Sequence, residues 1–192
     1  MIRPRVQVPQ ALYIPRYCVA MVEQQKYSVV TEIPGGIEIR NYPEHSRVSV
    51  DVVAGLSDAG SLGFGPLVSY ISGNNESSQS IAMTAPVLQA PQDSTHHVVS
   101  FVLPSIHTNE SWPLPANPRV RVETRLACLV AALRFRGYWR ADLVKKHERE
   151  LLVALNSSDY RPVGEPFFAR YNPPTTPGFM RRNEVLVEVE RV

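Results

Sequence analysis

The side chains best equipped for chemistry in this 192-residue chain are five histidines, two cysteines and the adjacent pair Arg181-Arg182. A metal centre needs several of the first two types at short, regular spacing, and none is present: there is no C-x-x-C pair, and His45, His96, His97, His107 and His147 stand apart from any Cys/His ligand pattern. His147 falls on the apolar stripe of a helix and reads as a partly buried stripe residue; His45, in Y-P-E-H-S, reads as a turn histidine. Cys18 and Cys128 lie in unrelated contexts and read as structural, which favours a reducing, intracellular compartment. No G-x-S-x-G elbow or P-loop is present, and Glu38, Glu44 and Asp51 alternate on solvent faces of strands. No catalytic residue is assigned on this basis.

A guanidinium fork matches a carboxylate bidentately, so the placement of the arginines decides where an anion could be held. The charge pattern sharpens that point. The net charge is only +2, without basic patches interleaved with aromatics, so nucleic acid is not an expected partner. No Lys or Arg occurs from Val48 through Pro118, so cations for an anionic ligand must come from around Arg40 and Arg47 or from the C-terminal half. The longest strongly apolar stretch, Leu126 to Leu133, is far short of the roughly 20 residues of a membrane helix, so a soluble protein without membrane insertion is expected. Residues 1–26 hold Arg3, Arg5 and Arg16 with no acid before Glu23, interrupted by Pro4, Pro9 and Pro15; they read as a disordered leader or targeting remnant. The cytoplasm is the expected compartment, with a plastid or mitochondrion left open.

The elements that must position these residues follow from periodicity. YSVVTEI, GIEIRNY and SRVSVDVV read as three strands, the first two joined by Pro34-Gly35-Gly36; Val48, Val50 and Val52 mark one face of the third, Arg47, Ser49 and Asp51 the other. A first helix is expected before Gly73, with Leu67, Val68, Tyr70 and Ile71 on its apolar side. Gly60, Gly63 and Gly65 cost about 1 kcal/mol each in a helix interior, which places its ordered start at Pro66. IAMTAPVLQ and STHHVVSFVLP then read as strands, with His96 and His97 on opposite faces. In the former, Met83 and Val87 are expected to pack inward, Thr84 to satisfy backbone, and Pro86 to interrupt pairing. RVRVETR and LACLVAALRFRG are further strands. A second helix runs from Tyr138 to about Asn156, carrying Trp139, Leu143, His147, Leu151 and Leu155 at four-residue steps, and PFFARYN and NEVLVEVE close the chain. The order, strands, helix, strands and the same again, implies an α+β fold of two similar antiparallel halves.

Three stretches carry a resemblance to a known family: YSVVTEIPGGIEIRNYP, LVSYISGNNESSQSIAMTAPVL and ARYNPPTTPGFMRRNEVLVEV. Their order and motifs resemble the SOUL/haem-binding protein family, and the Y-N-P-P-x-T-P loop ending in R-R-N-E-V is more similar to its plant, algal and bacterial members. The resemblance implies that residues 27–192 form two pseudo-symmetric halves of a distorted β-barrel flanked by two helices, related to effector-binding domains. It also implies a shallow apolar groove for haem or another tetrapyrrole beside the first helix and the loop before the last strand. Carried over, that groove comprises Phe64, Leu67, Val68, Ile71, Phe179 and Met180, with Arg181 or Arg182 meeting a propionate. Two features depart from the family pattern. Some members place an iron-ligating histidine after the E-I-R of the second strand, where this chain has Asn41; His45 is the weak substitute candidate. Cations that many members carry on the first helix are missing.

The expected function is therefore tetrapyrrole binding by a non-enzymatic carrier or buffer. A protein-interaction or effector-sensing module using the same groove is the alternative, and a tetrapyrrole-modifying enzyme such as a dechelatase a further one.

Overall fold

The computed structural model describes residues 22–105 and 111–192; Cys18, His107 and most of the expected leader lie outside them. The strands are β1 (Glu23–Gln24), β2 (Ser28–Ile33), β3 (Ile37–Tyr42), β4 (His45–Val53), β5 (Thr84–Ala85), β6 (Val87–Pro91), β7 (His96–Val102), β8 (Val120–Arg125), β9 (Cys128–Arg136), β10 (Tyr160–Pro162), β11 (Phe167–Arg170) and β12 (Arg182–Arg191). Helix α1 (Leu56–Ile71) follows β4, and α2 (Ala141–Leu155) follows β9.

Ten strands form one antiparallel sheet in the order β2-β3-β9-β12-β11-β6-β7-β4-β8, with β10 on the end of β12. This α+β arrangement agrees with the expected fold class in all but one feature: the sheet is not closed into a barrel. Its edges, β2 and β8, do not pair with each other. Side chains hold the curl instead, with Arg125 of β8 reaching Glu188 of β12 at 2.6 Å. The halves also exchange strands. The β2–β3 hairpin joins the second half through β9, while β8 joins the first through β4, so neither half has a sheet of its own.

Both helices cover the same face. Under α1 lie Val48, Val50, Val99, Phe101 and Val120; under α2 lie Ile37, Ile39, Ala131, Leu133, Val185 and Val187. The period of two along β4 and β3 dictates this, because alternate side chains share a face. The other face is concave and has its own apolar floor of Tyr42, Leu88, Val102, Val130, Ala132, Ala169 and Leu186.

Helix α1 starts ten residues before Pro66, the start expected from its glycines. Packing explains the difference. A β-carbon on Gly63 would fall 2.6 Å from Val99 Cβ, and one on Gly60 would fall 1.6 Å from Arg170 Nη2, so the two glycines let the helix lie close against the sheet. The expected strand IAMTAPVLQ is shorter than its apolar run. Pro86 separates β5 from β6, Thr84 donates its hydroxyl proton to the Val102 carbonyl, and Met83 and Val87 pack against the core under α1, as expected. Residues 22–26, counted with the leader on composition, contain β1, which pairs in parallel with β5.

Candidate functional site

The residues expected to form a groove separate into three groups. Leu67 and Ile71 belong to the core under α1 and are closed to solvent. Phe64 is 43 % exposed, with its ring edge-on to Phe101 at 5.3 Å, and Val68 is half-buried. Leu62 adds a further exposed apolar side chain, while Asp58 is the helix's one charged residue. On the loop after β11, a short 3-10 turn at Gly178–Met180 presents Phe179, 74 % exposed, and Met180, 59 % exposed.

This turn is seated on the segment that leads into α2. The Gly137 amide donates to the Gly178 carbonyl, and Gly178 lies so close to the Tyr138 ring that a β-carbon there would fall 2.5 Å from it. The next residue, Trp139, sends its indole N–H toward the Leu56 carbonyl at 3.4 Å, at the start of α1. Tyr138 and Trp139 thus connect the exposed loop to the first turn of the helix. Between them lies Arg170, its guanidinium 4.6 Å from the centre of the Trp139 ring and against Gly60. Arg170 donates to Gln89 Oε1, and Gln89 in turn donates to the Leu56 carbonyl at 2.8 Å.

The two expected propionate partners are occupied differently. Arg181 donates to the carbonyls of Thr176 and Pro174 and lies 5.1 Å from the Tyr138 ring centre, bracing the loop. Arg182 points to the concave face. It forms two hydrogen bonds to Glu184 Oε1, at 2.9 and 2.7 Å, and stacks 3.8 Å over Tyr171. There it joins a buried network that strand alternation does not reveal: Arg40 binds Glu184 through both terminal nitrogens, at 2.7 and 3.1 Å, and Glu38 through Nε at 2.7 Å. Tyr171 donates its hydroxyl proton to Glu184 Oε2 at 2.9 Å. Burial alone would raise the Glu184 carboxyl, but Arg40 and Arg182 hold it below its ordinary value. Burial also pushes Tyr42 up to about 12.

His45 lies on the concave face too, its Nδ1 2.9 Å from the Pro43 carbonyl. It borders a cleft of about 270 Å³ with Glu23, Lys26 and Trp112. Burial lowers its pKa, and Arg47 and Arg125 lower it further, against the opposing Pro43 contact. Asn41 is exposed on β3. His147 has its Nδ1 2.9 Å from the Leu143 carbonyl and its ring against Phe135, the partly buried role expected of it. His96 pairs with Asp93 at the surface, whereas His97 is buried with its Nδ1 against the Ala54 carbonyl, on opposite faces as expected. Among the described residues no group of three or more His, Cys, Asp or Glu is placed to hold a metal ion. No helix among them is long and apolar enough to cross a membrane.

The model of the SOUL heme-binding protein family matches residues 22–188, nearly the whole described fold. The chain belongs to the SOUL family. It is 32 % identical over 127 residues to human Heme-binding protein 2, a match spanning 62 % of this chain and 60 % of that protein's length. Among solved structures, the C-terminal domain of EcmrR superposes with a TM-score of 0.64 at 12 % identity, covering 86 % of this chain and 99 % of the other. A protein described as a hydrolase from Listeria innocua gives a TM-score of 0.56 at 8 % identity, covering 80 % and 91 %. At these identities the likeness is one of fold. For this SOUL chain, the feature that sequence reasoning missed is the packing of Arg170 between Gly60 and the Trp139 ring. Arg170 belongs to the ARYNPP stretch, yet only the helix packing against Gly60 reveals its position.

Proposed function

We propose that this protein binds haem or a related tetrapyrrole on the apolar surface offered by α1 and the Gly178–Met180 turn, as a carrier or buffer that performs no reaction on it. The observation that carries this reading is the exposure of Leu62, Phe64, Phe179 and Met180 on elements joined through Tyr138 and Trp139. On this reading Phe64 with Phe179 and Met180 supplies one exposed apolar patch, and patches of that kind mark binding surfaces. A macrocycle face covering them gains about 25 cal/mol per Å² removed from water. Membership of the SOUL family and the name of the human relative support the same ligand class.

Neither of the two positions considered for iron ligation brings a ligand to this surface. His45 lies on the opposite face of the sheet, and Asn41 stands where some family members have histidine. Recognition is therefore expected to rest on the macrocycle and its carboxylates. Parallel spectrophotometric titrations with haem and with metal-free protoporphyrin test this: saturable binding of both, at similar affinity, is expected. Binding of neither overturns the proposal, and binding of haem alone overturns its metal independence.

A further inference from the structure

Most arginines of this protein's sheet share a carboxylate. Arg40 and Arg182 share Glu184, Arg47 pairs with Glu123, Arg125 with Glu188, and Arg121 with Asp51. Arg134, Arg136 and Arg191 are exposed to water, and among the less exposed arginines of the sheet Arg170 is the exception. It is largely buried, its one hydrogen-bond acceptor is the neutral amide of Gln89, and it has no ion-pair partner among the described residues. A guanidinium offers five N–H groups. No buried side-chain nitrogen among the described residues lacks a partner, so the donors Arg170 leaves unused are not sealed from solvent.

Keeping an uncompensated cation partly out of water costs free energy, and the surroundings are shaped to hold this one. Gly60 leaves room for it, Trp139 stacks on it, and Gln89 is fixed by the Leu56 carbonyl so that its own oxygen faces Nη2. On the α1 side, Gly60 is one helical turn from the exposed Phe64. On the other side, Trp139 follows Tyr138, which carries the turn bearing Phe179 and Met180. Arg170 therefore sits between the two apolar parts of the surface assigned above, with donors to spare.

We propose that Arg170 is the carboxylate anchor of this surface, pairing with an acid group of the bound tetrapyrrole while Phe64, Phe179 and Met180 contact its apolar body. This rests on the tetrapyrrole reading and replaces the Arg181-Arg182 pair as the source of the cation. Burial depresses the Arg170 guanidinium to about 10, and an arriving carboxylate offsets that desolvation.

Fluorescence titrations with mesoporphyrin and with its dimethyl ester, which keeps the macrocycle but lacks both charges, test the anchor. Wild-type protein is expected to bind the diacid at least about tenfold more tightly than the ester, in line with a charge-assisted pair. Arg170→Met is expected to bind both with the ester's affinity, and Arg170→Lys to fall between. Gly60→Ala keeps the charge but displaces the guanidinium, and is expected to lose the preference as well; circular dichroism checks that each variant is folded. Equal binding of diacid and ester by the wild type, or an intact preference in Arg170→Met, overturns the anchor and leaves the tetrapyrrole surface standing. Failure of the wild type to bind either porphyrin removes both proposals.

Discussion

Arg40 on β3 and Glu184 on β12 form a bidentate pair across the intervening strand β9, although 144 residues separate them in sequence. Arg40 is 2 % exposed and Glu184 is fully buried. Their registers place the small side chain of Ala132 between them, which leaves room for the two long ones to meet. This pair ties the β2–β3 hairpin to the C-terminal strand and so holds the strand exchange between the halves.

Removing one partner of such a pair leaves the other charge buried and uncompensated, at a cost of about 3–5 kcal/mol. Glu184→Gln removes the carboxylate that Arg40 and Arg182 share and leaves Arg40 only the half-buried Glu38, so its urea unfolding is expected to show a loss toward the lower end of that range. The double variant Arg40→Met, Glu184→Leu is expected to recover most of it. A loss below about 1 kcal/mol for Glu184→Gln would show that the network does not hold the fold together.

Much of the fold was legible because period-two strands and a four-residue helical stripe report which face is buried. Val48, Val50 and Val52, and Leu151 with Leu155, lie where their spacing puts them. Arg40 and Ser49 are the instructive failures. Alternation marks both as polar-face residues, and so they are, but the sheet curls until its polar face is also enclosed; neither residue's neighbours in sequence record that curl. The exposure of the expected groove residues was legible in part for a similar reason. Phe64, Phe179 and Met180 are exposed apolar residues on the expected elements, whereas Leu67 and Ile71 look the same in sequence and face inward. Arg170 needed the packing of α1 on the sheet to stand out from its chain neighbours.

The glycines of α1 divide into those with a packing role and one without. A methyl group on Gly63 meets Val99 at 2.6 Å, whereas one on Gly65 meets nothing within 4 Å. Gly65→Ala is therefore expected to stabilise the protein by about 0.5–1 kcal/mol through helix propensity. Gly63→Ala gains the same propensity but overpacks the interface, and is expected to be destabilising by about 1–3 kcal/mol. Thermal melts of the two variants give shifts of opposite sign; two shifts in the same direction would contradict the packing argument.

His45 should give a measurable acid sensitivity. Its folded pKa is lowered chiefly by burial, with Arg47 and Arg125 adding to the effect, while the unfolded chain titrates near the ordinary value of about 6.5. As pH falls through about 6.5, the unfolded state takes up a proton that the folded state refuses, so folding stability declines until the folded pKa is reached. Above that window both states are neutral at this position and the contribution vanishes. Comparing urea midpoints at pH 7.5 and 5.5, His45→Gln is expected to lose less than wild type. Identical losses would mean that the ring titrates normally in the folded protein.

Phe179 and Arg182 should separate binding from folding. Phe179 is 74 % exposed, so Phe179→Ser is expected to change stability by less than about 0.5 kcal/mol, as for most exposed substitutions, while weakening porphyrin binding through lost apolar contact. Arg182 lies on the concave face, where it pairs with Glu184 and stacks on Tyr171. Arg182→Ala is therefore expected to lower the melting temperature while leaving the affinity of the remaining folded protein unchanged at a temperature well below that melt. The reverse pattern, with Phe179→Ser silent in titration and Arg182→Ala abolishing it, would move the ligand from the helix face of the sheet to the concave one.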